Sequence, residues 1–267
     1  MSSPMADQPL SGAVTIVTGA GRGIGAAIAR RFAAAGSHLV LAARSGDELE
    51  ALATSIRAAS GPDVLTVAAD MTDPAVPARL VEETMTRFGR LDGVVNNAGG
   101  AAPTPFLETT PEQLREAFDF NVAASFALTQ CATPHLLGSG RASVINVSSR
   151  MDRLVARGLL TYGTVKAAMS HMTRLLAAEL APRIRVNGLA PGVVATEALE
   201  DALDDPTRRH ILDATPLHRL AEVDDVANAA LWLASPDASY ITGKIIELDG
   251  GAERPVFPDA SPDLAPR

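Results

Sequence analysis

The 267-residue chain carries 23 basic and 31 acidic side chains, for a formal charge of −8 and an isoelectric point near 5.1. That balance argues against a general nucleic-acid binder and against a coat for anionic membranes. Hydrophobic residues make up 47% and aromatics only 4%, enough for a large core built mostly from Ala, Val, Leu and Ile.

Residues 1–8 contain neither the basic stretch nor the apolar run of a secretory leader, and no apolar run reaches the ~18 residues of a membrane span. A soluble cytoplasmic protein is expected. Residues 13–17, Ala-Val-Thr-Ile-Val, form a short β-branched run that predicts a buried strand. A glycine-rich turn follows over 18–25. An Ala-rich helix then places Ile24, Ile28 and Phe32 at helical spacing and stops at Gly36. Strands are predicted at 38–43, 64–68, 91–96, 143–147, 184–189 and 244–248, with helices at 47–59 and 76–88. Pro111 opens a helix that runs toward Cys131. Another helix carries Tyr162 to about Glu179, with Val165, Met169, Met172 and Leu176 as its apolar stripe. This alternation predicts right-handed βαβ crossovers and a parallel sheet with helices on both faces.

One domain is expected over 12–252, between tails at 1–11 and 253–267, with a lid at about 193–217. The Pro-rich end from Arg254 reads as a tail or an arm laid on a neighbour. Cys131 is the only cysteine, so no internal disulfide forms; it reads as a helix packing residue.

Strand, glycine turn and helix are the context of a dinucleotide fingerprint. Glycines at 19, 21, 23 and 25 permit a tight turn and close approach of backbone to a pyrophosphate, and the helix start offers free N–H groups to its charge. No Gly-Lys-Ser/Thr follows, so the turn is not a P-loop. Tyr162 and Lys166 are spaced i, i+4 and share a helix face. Free tyrosine titrates at about 10; a neighbouring ammonium favours its phenolate and brings it toward acid–base work at neutral pH.

Together, Thr18-Gly19-x-x-x-Gly23-x-Gly25, Asn96-Asn97-Ala98-Gly99, Asn121, Ser149 and Tyr162-x-x-x-Lys166 resemble the short-chain dehydrogenase/reductase superfamily. Pro191-Gly192 and Asp249-Gly250-Gly251 match as well. The resemblance runs from about Gly12 to Gly251, and the order and separations of its motifs are specific. It implies a Rossmann-type, doubly wound α/β domain with a seven-stranded parallel sheet. It also implies an oxidoreductase acting on a small carbonyl or alcohol and assembling as a homotetramer or homodimer. Two long helices, those of Pro111 and Tyr162, would pack across two-fold axes, with Ala167, Ala168, Ala177 and Ala178 permitting close approach.

The same resemblance assigns roles. Tyr162 exchanges the proton with the substrate oxygen. Lys166 lowers the tyrosine pKa and holds the nicotinamide ribose. Ser149 steadies the developing alkoxide, while Asn121 holds a relay water or, alternatively, bends its helix. Cofactor contacts fall to Gly19, Gly21, Arg22, Gly23, Ile24, Gly25, Arg44, Ser45, Asp70, Met71, Asn97, Ala98, Gly99, Pro191, Gly192, Val194 and Thr196. Asn96 ties neighbouring strands, and Asp70 bounds the adenine unless it caps a helix. Ser148 is the rival for the role of Ser149.

At the end of the second strand Ala43 stands where an NAD enzyme places an acid, and Arg44 follows. A guanidinium there suits a 2′-phosphate, with Arg22 as a second charge, so NADP(H) is favoured and NAD(H) remains open. Arg44 paired on the surface with Asp47 or Glu48 is the competing reading. Substrate-pocket candidates are Arg150, Met151, Leu154, Val193 and Leu199, with Leu159 and Leu203 as further apolar wall. Arg150 either grips an anionic substrate group or, more simply, pairs with Asp152 or faces solvent. The lid acids Glu197, Glu200, Asp201, Asp204 and Asp205 disfavour docking of an acidic carrier protein. Neither HExxH nor paired Cys/His spacing occurs, so no metal is expected, and no GxSxG elbow occurs. A β-ketoacyl thioester reductase and a cofactor-binding sensor without turnover are the alternatives.

Overall fold

The computed structural model describes residues 8–59, 61–201 and 203–256. The apolar runs become strands: β1 Val14–Thr18, β2 His38–Ala43, β3 Val64–Ala68, β4 Gly93–Asn96, β5 Ser143–Val147 and β6 Arg185–Pro191. Beyond them lie a short parallel pair, β7 Val194–Ala195 and β8 Ala221–Glu222, and the edge strand β9 Ile245–Leu248. Seven strands form one parallel sheet in the order β3-β2-β1-β4-β5-β6-β9. This is the expected Rossmann-type sheet. The chain reverses direction across it between β1 and β4, which opens a crevice at the strand carboxyl ends.

Helices α1 Gly23–Ala34 and α2 Gly46–Ala58 cover one face. Helices α3 Val76–Phe88, α5 Ala124–Leu136 and α6 Leu160–Leu180 cover the other. Helix α4 Pro111–Phe118 starts at a capping box between Thr110 and Gln113, with Pro111 at its first position. It does not run straight into α5: a π-helical turn, Asp119–Ala123, intervenes. In α6, Val165 and Met169 are fully buried, as their spacing predicted.

Two features depart from expectation. Helix α9 Val223–Ala234 lies against α1, on the opposite face from α5 and α6, although β4, β5, β6 and β9 step across the sheet in one direction. The β6–β9 connection therefore winds with the opposite hand to the others, not with the uniform hand expected. The excursion through β7, the one-turn helix α7 Glu197–Glu200, α8 Asp205–Ala214 and β8 carries the chain over the sheet's carboxyl edge to the other face. At the chain ends, 8–11 pack by backbone bonds to the α1–β2 turn, through Leu10 N to Ala35 O (3.0 Å) and Gly12 N to Gly36 O (3.1 Å). Most of both expected tails, 1–7 and 257–267, lies outside the described residues.

A buried polar chain crosses the α3/α5/α6 face. Asn96 Nδ2 donates to Asn146 Oδ1 (2.8 Å) and to Thr129 Oγ1 (3.1 Å), and Asn146 Nδ2 donates to Thr173 Oγ1 (2.8 Å). All four residues are almost wholly buried. Asn96 does tie strands together, and the chain also pins α5 and α6 to the sheet. Asn146→Ala leaves the Asn96 amide short of an acceptor and opens a cavity. It should lower unfolding free energy by about 2–4 kcal/mol; a loss below about 1 kcal/mol in urea titration would contradict this account.

Candidate active site

The glycine turn joins β1 to α1. A β-carbon on Gly25 would meet the Gly19 carbonyl at 2.1 Å, so turn and helix pack backbone to backbone here. Asn97 holds the turn from β4, its Nδ2 donating to Thr18 O and Gly19 O (both 3.0 Å). The Thr18 hydroxyl in return accepts from the Asn97 and Ala98 amides (both 3.1 Å). No side chain caps the first turn of α1, which leaves its N–H groups for an anion.

In front of this turn lies a cleft of about 390 Å³. Gly19, Gly21, Arg22, Arg44, Ser45, Asp70, Met71, Asn97, Ala98 and Gly99 line it, all of them expected. Ala43, Glu48, Ala69 and Phe120 line it too. Glu48 and Phe120 were missed. Glu48 has the capping-box spacing from Ser45, but its carboxylate hangs over Gly21. Phe120 is delivered by the π turn, which no periodicity announces. Arg44 is exposed, and neither Asp47 nor Glu48 pairs with it. Asp70 caps no helix: Oδ1 accepts from the Thr72 amide (3.0 Å) and hydroxyl (2.9 Å), which hold its pKa below the usual carboxylate range. A tight turn, uncapped helix start and paired guanidinium groups fit a dinucleotide. Of the remaining expected contacts, Thr196 sits beside Gly23, Gly192 and Val194 frame the start of the β6–β9 excursion, and Ile24 packs into the core.

At the nicotinamide end expected from the motif, three elements converge. Ser149, just past β5, starts a 3-10 turn over Arg150–Asp152 and is 8% exposed. Tyr162 comes from the first turns of α6 and lies beside Ser149. Burial raises the phenol pKa above its ordinary value, and the nearby Ser149 hydroxyl partly offsets this. One turn later, Lys166 is 4% exposed, with Nζ 5.7 Å from the Tyr162 ring centre and donating to Val147 O (3.1 Å). Burial depresses its pKa to about 8. Ser148 points elsewhere, donating to Lys166 O (3.0 Å) and meeting Ser170 Oγ (2.8 Å).

Asn121 sits in the π turn. Its Oδ1 accepts from Gly100 N (2.8 Å), and its Nδ2 donates to Gly100 O (2.9 Å) and Ala117 O (2.8 Å). A β-carbon on Gly99 would lie 2.5 Å from Asn121 Oδ1 and 3.2 Å from Lys166 Nζ. Only glycine there lets the amide and the ammonium approach. A π turn at such a position is a common mark of a functional site.

The substrate candidates divide. Met151 and Leu154 belong to the turn after Ser149, and Leu199 lies on α7. Val193 instead lines a separate hollow of about 470 Å³ with Thr215, Leu217 and Asp249. Arg150 is corrected: it grips neither an open pocket nor Asp152, but is buried and paired with Asp249 at 2.9 Å. Asp152 accepts from Ser170. Among the described residues, no group of three or more His, Cys, Asp or Glu side chains stands where it could hold a metal ion.

Because the folded Lys166 titrates near 8 and the unfolded one near 10.5, the unfolded chain binds the extra proton between those values. This group's burden on stability is therefore full below about pH 8 and fades as pH rises toward 10.5. Lys166→Met should gain stability relative to wild type at pH 7, with the gain shrinking by pH 10. A melting-temperature difference that stays constant across that range would overturn the burial account.

A family model described as enoyl-(acyl carrier protein) reductase matches residues 19–253. An uncharacterised oxidoreductase of Mycobacterium tuberculosis is 50% identical over 253 residues, covering 94% of this chain and 96% of that protein. A 3-oxoacyl-(acyl-carrier-protein) reductase of Staphylococcus aureus is 34% identical over 88% of this chain and 96% of its own. A solved 7α-hydroxysteroid dehydrogenase, complexed with NADH and 7-oxo glycochenodeoxycholic acid, superposes with a TM-score of 0.90 at 33% identity, over 94% of this chain and 98% of that one. In sequence, a 7α-hydroxysteroid dehydrogenase of Escherichia coli is 35% identical over 91% of this chain and 94% of its own. With the fold, the glycine turn and the Tyr-x-x-x-Lys helix in their places, the chain belongs to the short-chain dehydrogenase/reductase superfamily and is an oxidoreductase of that family.

Proposed function

We propose that the protein interconverts a carbonyl group and a secondary alcohol with NADP(H), with Tyr162 as general acid and base. The observation that carries this reading is the Tyr162 phenol beside Ser149, with the buried Lys166 ammonium one helix turn away. The nicotinamide, when bound, supplies the hydride chemistry. Tyr162 gives its proton to the substrate oxygen in reduction and takes it in oxidation. Ser149 donates to the same oxygen as charge develops there. Lys166 favours the phenolate and donates to the ribose, and Asn121 supports the ammonium through a water. Without ligand, Tyr162 sits above its ordinary pKa, so lowering it depends on the charged form of Lys166.

NADP(H) rather than NAD(H) follows from Arg44 and Arg22 at a cleft whose strand-end position is Ala43. The segment 193–217 serves as the lid over the substrate. Exposed Phe118, Phe126 and Leu175 on α4, α5 and α6 support a homotetramer or homodimer, and the cytoplasm is the compartment proposed for it. No helix among the described residues is long and apolar enough to cross a membrane. The likeness to the 3-oxoacyl reductase supports a second reading, in which the substrate is a β-ketoacyl thioester. Enoyl reduction fits less well, since the Tyr–Lys spacing here is the short one.

Oxidation of NADPH and NADH over ketones, aldehydes and β-ketoacyl thioesters separates these readings. Tyr162→Phe should lower turnover by about 10²–10⁴-fold and leave NADPH affinity nearly unchanged; retained turnover refutes the mechanism. Arg44→Ala should weaken NADPH by about tenfold or more relative to NADH. Equal affinities before and after the change would remove the NADP(H) assignment.

A further inference from the structure

Arg150 follows Ser149 directly, yet its side chain is buried away from solvent. Its Nε lies 2.9 Å from Asp249 Oδ2, as an ion pair off the line of a hydrogen bond, and neither Nε nor Nη2 has a hydrogen-bond acceptor. Buried, unsatisfied N–H groups cost stability and call for an explanation. The partner side explains them. Asp249 directly follows β9, and its other oxygen, Oδ1, accepts from Gly251 N (2.9 Å), so the carboxylate is fixed by its own turn.

That turn also carries both ends of the segment 193–217. Gly192 N donates to Leu248 O (2.9 Å) where the segment leaves β6, and Leu217 N donates to Gly250 O (3.1 Å) where it returns. A β-carbon on Gly192 would lie 2.9 Å from Asp249 Cα and 3.6 Å from Arg150 Cδ. Arg150, Gly192 and Asp249 are thus wedged together. On the other side, Arg150 O accepts from Arg153 N (3.3 Å) and Leu154 N (3.1 Å), and Ser149 O accepts from Asp152 N (2.9 Å), which makes the turn that presents the Ser149 hydroxyl.

We propose that Arg150 and Asp249 are a positioning pair that ties the Ser149 turn to the base of the segment 193–217, so that the seating of that base and the placement of the Ser149 hydroxyl are set together. Neither residue touches the substrate. The pair acts through Ser149 and through the amides of Gly192 and Leu217. It rests on the carbonyl–alcohol reading above.

The test compares Arg150→Met, Asp249→Asn and the double variant with wild type, on whichever substrate of the panel the wild type turns over. Each single variant should lose about tenfold in kcat, as misplacement of a catalytic group does. NADPH Kd should stay within about twofold. The double variant should be no slower than the slower single one, because the two residues act as a unit. Arg150→Met, which removes a buried charge, should melt within a few degrees of wild type. Amide exchange at Asp152 and Leu217 should quicken together in each variant. A folded Arg150→Met with kcat within about twofold of wild type, losses that multiply in the double variant, or faster exchange at only one of the two amides overturns the pairing. Exchange reads the pair even where turnover is absent, and Tyr162→Phe alongside separates failure of this proposal from failure of the proposed chemistry.

Discussion

Two asparagine side chains facing each other across β4 and β5 hold the rest of the site in register. Asn96 and Asn146 are backbone partners in the parallel ladder, and their carboxamides bond directly on the α5/α6 side of the sheet. A one-residue slip of β5 would turn Asn146 to the opposite face, beside Val95 and Leu189 of the flanking strands, and bury an unpaired amide in hydrocarbon. The pairing therefore excludes the wrong register more strongly than it stabilises the right one. Once β4 and β5 are fixed, the residues just past their ends are fixed too. Asn97 reaches back to the glycine turn. Ser148 and Ser149 reach forward to α6, which Thr173 has already docked.

Glycines and threonines at the strand ends solve a second problem created by the first. A crevice at the carboxyl ends of parallel strands exposes backbone groups to whatever enters it. The Thr18 hydroxyl takes two amides of the next strand's loop, and the Asn97 amide takes two carbonyls of the glycine turn. The turn is held rigid by side chains behind it, leaving its front clear. At the other end of the crevice, Gly99 leaves the space in which Asn121 and Lys166 come together.

The parts of this molecule that repeat or alternate were legible in the sequence. Residues 38–43, 64–68, 76–88 and 143–147 match their elements to the residue, because apolar period and capping chemistry are local signals. The glycine turn and the Tyr162–Lys166 face were equally legible, since each depends on a few residues at fixed spacing. Three things were not. The π turn inserts an extra residue per turn, so a 3.6-residue pattern reads α4 and α5 as one helix. Helix α9 has its own apolar face, but which side of the sheet it covers depends on the path through α7 and α8, a long-range property. Arg150 read as gripping an anionic substrate group or pairing with Asp152 or solvent, and only the packing of Gly192 on Asp249 reveals a partner on the far edge strand's end.

The proposed catalytic pair carries opposite burdens from one cause. Burial that keeps water from the reacting centre raises the Tyr162 pKa and lowers that of Lys166 to about 8, so both lean toward their neutral forms. Neutral partners attract each other far less than phenolate and ammonium do. The site counters this with oriented dipoles: the Val147 carbonyl faces the ammonium, and the Ser149 hydroxyl faces the phenol. Both come from the two sides of the end of β5, a strand fixed by Asn146. The proton chemistry proposed for Tyr162 therefore depends on a backbone carbonyl and a serine that follow the buried Asn146 amide by one and three residues.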